Sequence, residues 1–280
     1  MSTPAGATPN ELQAHYDAGD SFYGLWLDEE RVYSAALWEN AEDLAAAQRA
    51  KLAWHAAEAG VVPGARVLDV GCGWGAFLAF SLKEGGAAEA VGLTPSPSQA
   101  RATAARALPG LRVHAHGWDQ HVDEPYDAMV CVGALEHFVR PEDDDTTRVA
   151  RYRAFFDFAR AHLRPGAHLS LQTIAYGDFP GGRLDPFITA RIFPGSDLPR
   201  LAQLAEAWTG PFSLVRLRND PLDYARTCAV WAERLAARRA EAEALVGAEK
   251  VADYLRYLKM SAAGFRSGAL ELLRVTLRGR

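Results

Sequence analysis

The chain is poor in the features that would staple it, anchor it or deliver it elsewhere. It has three cysteines in 280 residues, Cys72, Cys131 and Cys228. They are widely spaced and odd in number, so they form neither a disulfide framework nor a metal-ligand spacing, and a reducing cytoplasm is the expected setting. No run of about 18 apolar residues occurs, which excludes a membrane-spanning helix. The start, Met1 to Asn10, is small and polar and lacks the charged and apolar regions of a signal peptide. Positive charge is not in excess: 30 Lys and Arg stand against 35 Asp and Glu, a net charge of -5. That disfavours nucleic acid or an anionic membrane as the main partner. Internal repeats and low-complexity linkers are missing too. No His, Cys and carboxylate cluster has ligand spacing, so no metal is expected. The acidic run Glu142-Asp143-Asp144-Asp145 reads as a solvated loop.

What remains is an ordinary globular composition, 49% hydrophobic and 23% charged. It suits one α/β domain with decorations, or at most two small domains. Strands are expected near 66–70, 87–93, 111–115, 126–132, 167–174, 213–218 and 270–278, with helices between most of them. Such alternation argues for a mostly parallel sheet covered on both faces. Asn40 is the expected N-cap of a helix running to about Glu58, with Gly60 just past its end. Asp220-Pro221 should open another helix, Asp as cap and Pro at the first helical position. Leu222, Ala225, Cys228, Trp231 and Leu235 then recur on one helical face. Arg234, Arg238, Arg239, Glu241 and Glu243 read as a solvated face. Residues 1–60 form an N-terminal helical extension. Its aromatic residues His15, Tyr16, Phe22 and Tyr23 either cover a ligand as a lid or pack the extension onto the core. Residues 61–280 form that core, with pocket-building insertions at about 139–150, 175–212 and 220–265.

The chain is organised around Val67-Leu68-Asp69-Val70-Gly71-Cys72-Gly73-Trp74-Gly75. A short β-branched run leads into alternating glycines and then an apolar helical segment: strand, glycine turn, helix. Glycine lets a ligand approach the backbone closely, and the helix behind presents unpaired N–H groups. A Gly-x-Gly pattern alone serves many nucleotide binders. Asp69 is more informative, because a carboxylate would repel a pyrophosphate and suit an amine. The string resembles motif I of class I S-adenosylmethionine (SAM) methyltransferases. That resemblance implies a Rossmann-like fold with a seven-stranded, mostly parallel sheet, helices on both faces and an N-terminal helical lid.

Ligands in such sheets bind beyond the carboxyl ends of the strands. The first strand delivers Asp69, Gly71, Cys72 and Gly73. The second ends in Gly92-Leu93-Thr94, with Gln99 following, where many SAM enzymes place a carboxylate. The third is followed by Gly117-Trp118-Asp119-Gln120; Trp118 can stack on adenine and Asp119 can accept from its amine. The fourth ends in Glu136-His137-Phe138, a carboxylate and an imidazole where a methyl group would be delivered. These segments, with Tyr33-Ser34, Ile192-Phe193-Pro194-Gly195, Asp223-Tyr224-Ala225-Arg226-Thr227 and Phe265-Arg266-Ser267-Gly268, resemble the cyclopropane fatty acid and mycolic acid cyclopropane synthase family. The resemblance runs from about His15 to the C-terminus. It implies a SAM enzyme that methylates an alkene carbon, forms a carbocation and removes a proton to close a ring. It also implies that Tyr33, Ser34, Gly71, Gly73, Thr94, Gln99, Trp118 and Asp119 contact SAM, and that Glu136 and Tyr224 act at the reacting carbon.

Two departures fall on the acceptor side. The family holds a bicarbonate ion through a cysteine, a glutamate, a histidine and a tyrosine. Glu136 and Tyr224 match, but Ala35 stands for the cysteine and Gln172 for the histidine, so bicarbonate would lose two of its contacts. The segment from Ala175 to Asp185 is also shorter than in the family, and the loop Val139 to Arg148 is longer. The reading that follows is SAM-dependent carbon alkylation, by methyl transfer or cyclopropane formation, on a small or specialised acceptor. Ring closure could proceed by displacing S-adenosylhomocysteine from a SAM–substrate adduct. The alternatives are a cyclopropane synthase acting on an unsaturated acyl lipid, heteroatom methylation with His137 as base, and a non-catalytic SAM-binding partner protein.

Overall fold

The computed structural model describes residues 6–8, 19–177 and 184–280. His15 and Tyr16 lie outside the described residues. Seven strands form one sheet: β1 (Arg66–Val70), β2 (Glu89–Leu93), β3 (Leu111–His114), β4 (Tyr126–Val132), β5 (Leu163–Tyr176), β6 (Phe212–Asn219) and β7 (Leu270–Gly279). Their order is β3-β2-β1-β4-β5-β7-β6. β1 to β5 pair in parallel, and β7 runs antiparallel between β5 and β6. The strands stand close to their expected places. β5 starts earlier, because Leu163 pairs with Tyr126 across a register shift before the regular ladder resumes at His168.

Successive side chains of a strand point to opposite faces, and here each face is apolar. Val67, Ala128 and Val130 pack beneath Leu52, Ala56 and Phe77 of the helices Leu44–Ala59 and Ala76–Lys83. Leu68, Val70, Met129 and Cys131 join the opposite core with Phe155 and Phe156 of the helix Asp145–Ala161. A third core joins residues 22–47 to the helices Pro221–Ala237 and Ala248–Arg266. It is an aromatic cluster: Tyr23 lies 5.2 Å from Tyr33 and 5.1 Å from Trp74, and Trp26 lies 5.7 Å from Trp231. Phe22 and Tyr23 are fully buried in it, so of the two readings above these residues serve as packing. No helix among the described residues is long and apolar enough to cross a membrane.

Several local expectations are corrected. Asp43, not Asn40, caps the helix Leu44–Ala59, accepting from the Ala46 N–H at 2.8 Å. Asn40 sits at φ 59, a left-handed conformation that asparagine tolerates better than most residues. Gly60 closes that helix in the left-handed region, as expected. Asp220 makes no side-chain cap, because its carboxylate is drawn to Arg218 and Arg274. Leu222 is exposed at 67%, while Ala225, Cys228, Trp231 and Leu235 are buried. Arg234 donates to the Leu27 carbonyl at 3.1 Å rather than facing only solvent. The acidic run is structural as well: Asp144 caps the helix Asp145–Ala161 through the Thr147 N–H, and Asp143 pairs with Arg151 at 3.0 Å. Asp145 accepts from Gln203 at 2.8 Å.

The cap assignment is checked by chemical denaturation. Asp43→Ala should cost about 1 kcal/mol, whereas Asn40→Gly, which keeps the left-handed backbone accessible, should change stability by only a few tenths, on the order of 0.3 kcal/mol.

Candidate active site

The strand order reverses between β1 and β4, and the crevice beyond their carboxyl ends is where an open α/β sheet takes its ligand. The turn after β1 is fixed to the neighbouring strand: the N–H groups of Gly71 and Cys72 donate to the Leu93 carbonyl at 2.9 and 3.0 Å. A side chain at Gly71 would stand 2.7 Å from Ala134 Cβ, so that glycine is a packing requirement. Gly73 differs: at φ 53, a side chain there would meet nothing within 4 Å. It borders open cleft.

Three cavities meet at this crevice, and Gly133 lines all of them. Gly133 follows β4 at φ 66, and a side chain on it would come only to 4.0 Å from Ser34 Cβ. The first cavity runs along the ends of β1 to β3. Gly71, Gly73, Thr94, Gln99, Trp118 and Asp119 line it, and Ala7 and Thr8 border it. Thr94 and Gln99 are buried and hydrogen-bonded to each other at 2.9 Å. Trp118 has two roles: it lines the cavity and packs against Phe158 at 5.4 Å and Phe138 at 5.7 Å. Asp119 is exposed at the cavity's edge.

The second cavity is polar. Tyr33, Ser34, Asp69, Gly71, Cys72 and Gly73 line it together with Lys51 and His55. Burial pushes the Asp69 carboxyl up to about 7 and draws the Lys51 ammonium down to about 7. Asp28 and, less strongly, Asp69 oppose the lysine's shift, and Lys51 opposes that of Asp69. Cys72 is buried, and burial pushes its thiol well above the usual range, so it is a wall and not a nucleophile.

The third cavity holds the expected catalytic group. Glu136, His137, Gln172 and Tyr224 all line it, with Tyr33, Ile174, Leu184, Phe193, Tyr257 and Leu272 as an apolar and aromatic wall. Glu136 is buried, and its Oε1 accepts from the Ile174 N–H at 2.6 Å while Oε2 has no hydrogen-bond partner. Burial raises its pKa, opposed by the hydrogen bond from Ile174 and by the nearby Thr173 hydroxyl, which falls short of a hydrogen bond to Oε2. Tyr224 is held by Phe265, whose ring stacks at 4.7 Å. His137 is tied to Ser196 Oγ at 2.7 Å, and burial pushes its imidazole down to about 4. It is therefore neutral near pH 7.

Gln172 is fixed at both ends. Its Oε1 accepts from Arg274 Nε at 2.9 Å and its Nε2 donates to the Ala35 carbonyl at 3.3 Å. Arg274 is wholly buried, and it also donates to the Ala36 carbonyl at 2.8 Å, to Asp223 at 3.2 Å and to Asp220. Among the described residues, no group of histidine, cysteine and carboxylates has the geometry of a metal site.

The structure thus brings the expected residues together around one junction. Sequence reasoning missed Lys51, His55, Gly133 and Arg274. The first two had a signal: they fall on the buried face of a helix, in step with Leu44, Ala47, Leu52 and Ala59. A lysine there stands out.

A family model described as mycolic acid cyclopropane synthetase matches residues 6–275. Cyclopropane mycolic acid synthase 1 of Mycobacterium tuberculosis H37Rv is 34% identical, with 95% of each chain covered. Cyclopropane mycolic acid synthase MmaA2 of the same strain is 35% identical, over 95% of this chain and 96% of the relative. The solved structure of mycolic acid cyclopropane synthase CmaA1 complexed with SAH and CTAB matches at a TM-score of 0.88 and 33% identity, covering 98% of this chain and 99% of the other.

A pair of glycine variants tests the junction. Gly133→Ala and Gly60→Ala both force a side chain into left-handed backbone, and each should cost about 1 kcal/mol in stability. Only Gly133→Ala places a methyl group in the cleft, so by calorimetry it alone should weaken S-adenosylhomocysteine binding, by on the order of tenfold or more.

Proposed function

The chain belongs to the mycolic acid cyclopropane synthetase family, and from that premise we propose that it alkylates an alkene carbon of an unsaturated acyl chain. It is a SAM-dependent transferase of the methyltransferase class. The unsaturated acyl acceptor fits the relatives better than the small acceptor expected from the altered acceptor-side residues. The observation that carries the proposal is the lone Glu136 Oε2 in an aromatic chamber that meets the SAM cleft at Gly133.

When bound, SAM supplies an electrophilic methyl group on a sulfonium. The protein's part is to hold, orient and exclude water. Gly73 and Gly133 leave space for the cofactor's backbone-side contacts, Trp118 offers a face to the adenine, and Asp119 an acceptor to its amine. Tyr33 and Ser34 line both the polar cleft and the acceptor chamber, so they bracket the transfer point. Leu184, Phe193, Tyr257 and Leu272 give a hydrocarbon chain an apolar wall. Cation development on the acceptor carbon is disfavoured by the aliphatic part of that wall and favoured by the faces of Phe193 and Tyr257 and by Glu136, whose carboxylate is preorganised by the Ile174 N–H. Tyr224 positions the acceptor. Residues 6–8 support a covering role for the N-terminal extension: Ala7 N–H donates to the His137 carbonyl at 2.9 Å, and Arg140 donates to the Gly6 carbonyl at 3.1 Å.

A bicarbonate base finds a poorer site here than the family pattern implies. Ala35 offers no polar side chain, and Gln172 is a neutral amide already engaged at both ends. The proposal therefore gives Glu136 and Tyr224 direct contact with the acceptor. Proton removal to close the ring, or to release the methylated alkene, falls to Glu136, whose Oε2 is left to accept while Oε1 is held by the Ile174 N–H.

Purified protein with SAM and unsaturated phospholipid vesicles should yield acyl chains heavier by one CH₂, read by mass spectrometry, and added bicarbonate should not raise the rate. A protein that binds SAM but adds no CH₂ to any unsaturated acyl lipid would return the assignment to a small acceptor. Glu136→Gln should lower kcat by roughly 10²-fold. The wild-type rate should fall with acidification, because the carboxylate form is lost as pH drops through a folded pKa raised above the usual glutamate value. The Gln variant should lack that acid limb; a normal kcat in it would defeat the role.

A further inference from the structure

The polar cavity contains a cation that no resemblance supplied. Lys51 sits on the buried face of the helix Leu44–Ala59 with 2% exposure, and its ammonium is 3.0 Å from Ser34 Oγ. Among the described residues no carboxylate stands within 4.0 Å of that ammonium. A lysine ammonium carries three donors, and the Ser34 hydroxyl meets one of them; Asp28 and Asp69, the carboxylates whose charges it feels, make no hydrogen bond to it. Across the same cavity stands Asp69, 3% exposed and without a hydrogen-bond partner among the described residues. An ammonium with donors to spare and a carboxylate without a hydrogen-bond partner share a cleft beside the glycine turn. That is the complement of a free amino acid, whose carboxylate and ammonium leave from one carbon.

Resting on the SAM reading of the cleft, we propose that Lys51 receives the carboxylate of the cofactor's amino-acid tail, with Asp69 taking its ammonium and Ser34 steering the lysine. The other residues facing this cleft do not fill the role. His55 gives Nδ1 to a hydrogen bond with Ser170 at 2.8 Å, and burial keeps its ring neutral. Arg31 lines the cleft but lies nearer the surface, paired with Asp20 at 3.8 Å with 38% of its side chain exposed. Gln48 donates to the Ser34 carbonyl at 2.9 Å and so braces the same segment from below. Lys51 and Gln48 are three residues apart on one helix, so a single face both shapes the Tyr33-Ser34 segment and charges the cleft.

The consequence is selectivity for the whole cofactor over its fragments. Calorimetry with three ligands tests it: S-adenosylhomocysteine, its decarboxylated analogue and 5′-methylthioadenosine, which lacks the amino-acid tail. The wild type should bind S-adenosylhomocysteine at least about tenfold tighter than the decarboxylated analogue. Lys51→Met, similar in length and uncharged, should erase most of that gap and leave methylthioadenosine affinity unchanged. Arg31→Met should keep the gap. Lys51→Gln serves the same comparison should the methionine variant not fold. A wild type indifferent to the carboxylate, a gap that persists without Lys51 or vanishes with Arg31→Met, or equal weakening toward all three ligands would overturn the proposal. The last of these would reduce Lys51 to a brace for the Tyr33-Ser34 segment. Methylthioadenosine binding across the variants reports on the cofactor cleft itself, so failure of the Lys51 role is separable from failure of the SAM reading.

Discussion

The acceptor side of the site stands on one buried ion, the guanidinium of Arg274. It has no exposure, and it is satisfied by Gln172, the Ala36 carbonyl, Asp223 and Asp220. Those partners come from three places. Gln172 lies on β5, Ala36 follows the Tyr33-Ser34 pair, and Asp220 and Asp223 begin the helix that carries Tyr224. A charge withdrawn from water is tolerated when it is well partnered; four hydrogen bonds here engage all three guanidinium nitrogens, and removing one partner leaves the rest costly. The planar fork therefore fixes where sheet, loop and helix stand relative to one another. Arginine alone among the side chains offers five donors in a rigid plane.

The same ion decides how Gln172 faces. Because the guanidinium takes the amide oxygen, the amide nitrogen is left toward Ala35. Gln172 thus stands in the chamber wall as a neutral amide locked from behind, and Ala35 lies beneath that wall, offering Gln172 its carbonyl. Among the described residues, the chamber keeps Glu136 as the carboxylate without an arginine partner, Asp197 being paired with Arg148, and has His137 neutral beside it.

Much of this was legible in the residues. The strands are short apolar runs bounded by turn residues, and the parallel sheet buries both faces, so β1 and β4 read without ambiguity. The glycine turn and Asp69 announced the cofactor side, and the family motifs carried Glu136 and Tyr224. What could not be read was long-range. Asn40 and Asp43 both look like caps, and only the backbone distinguishes them. Asp220 looks like a cap until Arg274, 54 positions on, claims its carboxylate. The acidic run looks solvated until its cap, its arginine and Gln203 are in place. Lys51 was overlooked because a lysine in a helix is ordinarily an exposed residue. Only its register with the apolar face marked it.

The position of Gly133 has a stereochemical consequence. It is the common border of cofactor cleft and acceptor chamber, just past β4, and Phe193, Tyr257 and Leu272 line the same chamber. A planar double bond lying in that chamber can turn only one of its faces at a time toward the tip of the strand. For the proposed reaction, carbon is delivered from the Gly133 side alone, so the two prochiral faces of the alkene are inequivalent before any bond is made. The handedness of the product is then set by which end of the acyl chain enters first, a choice that belongs to the shape of the chamber and not to the chemistry of the transfer.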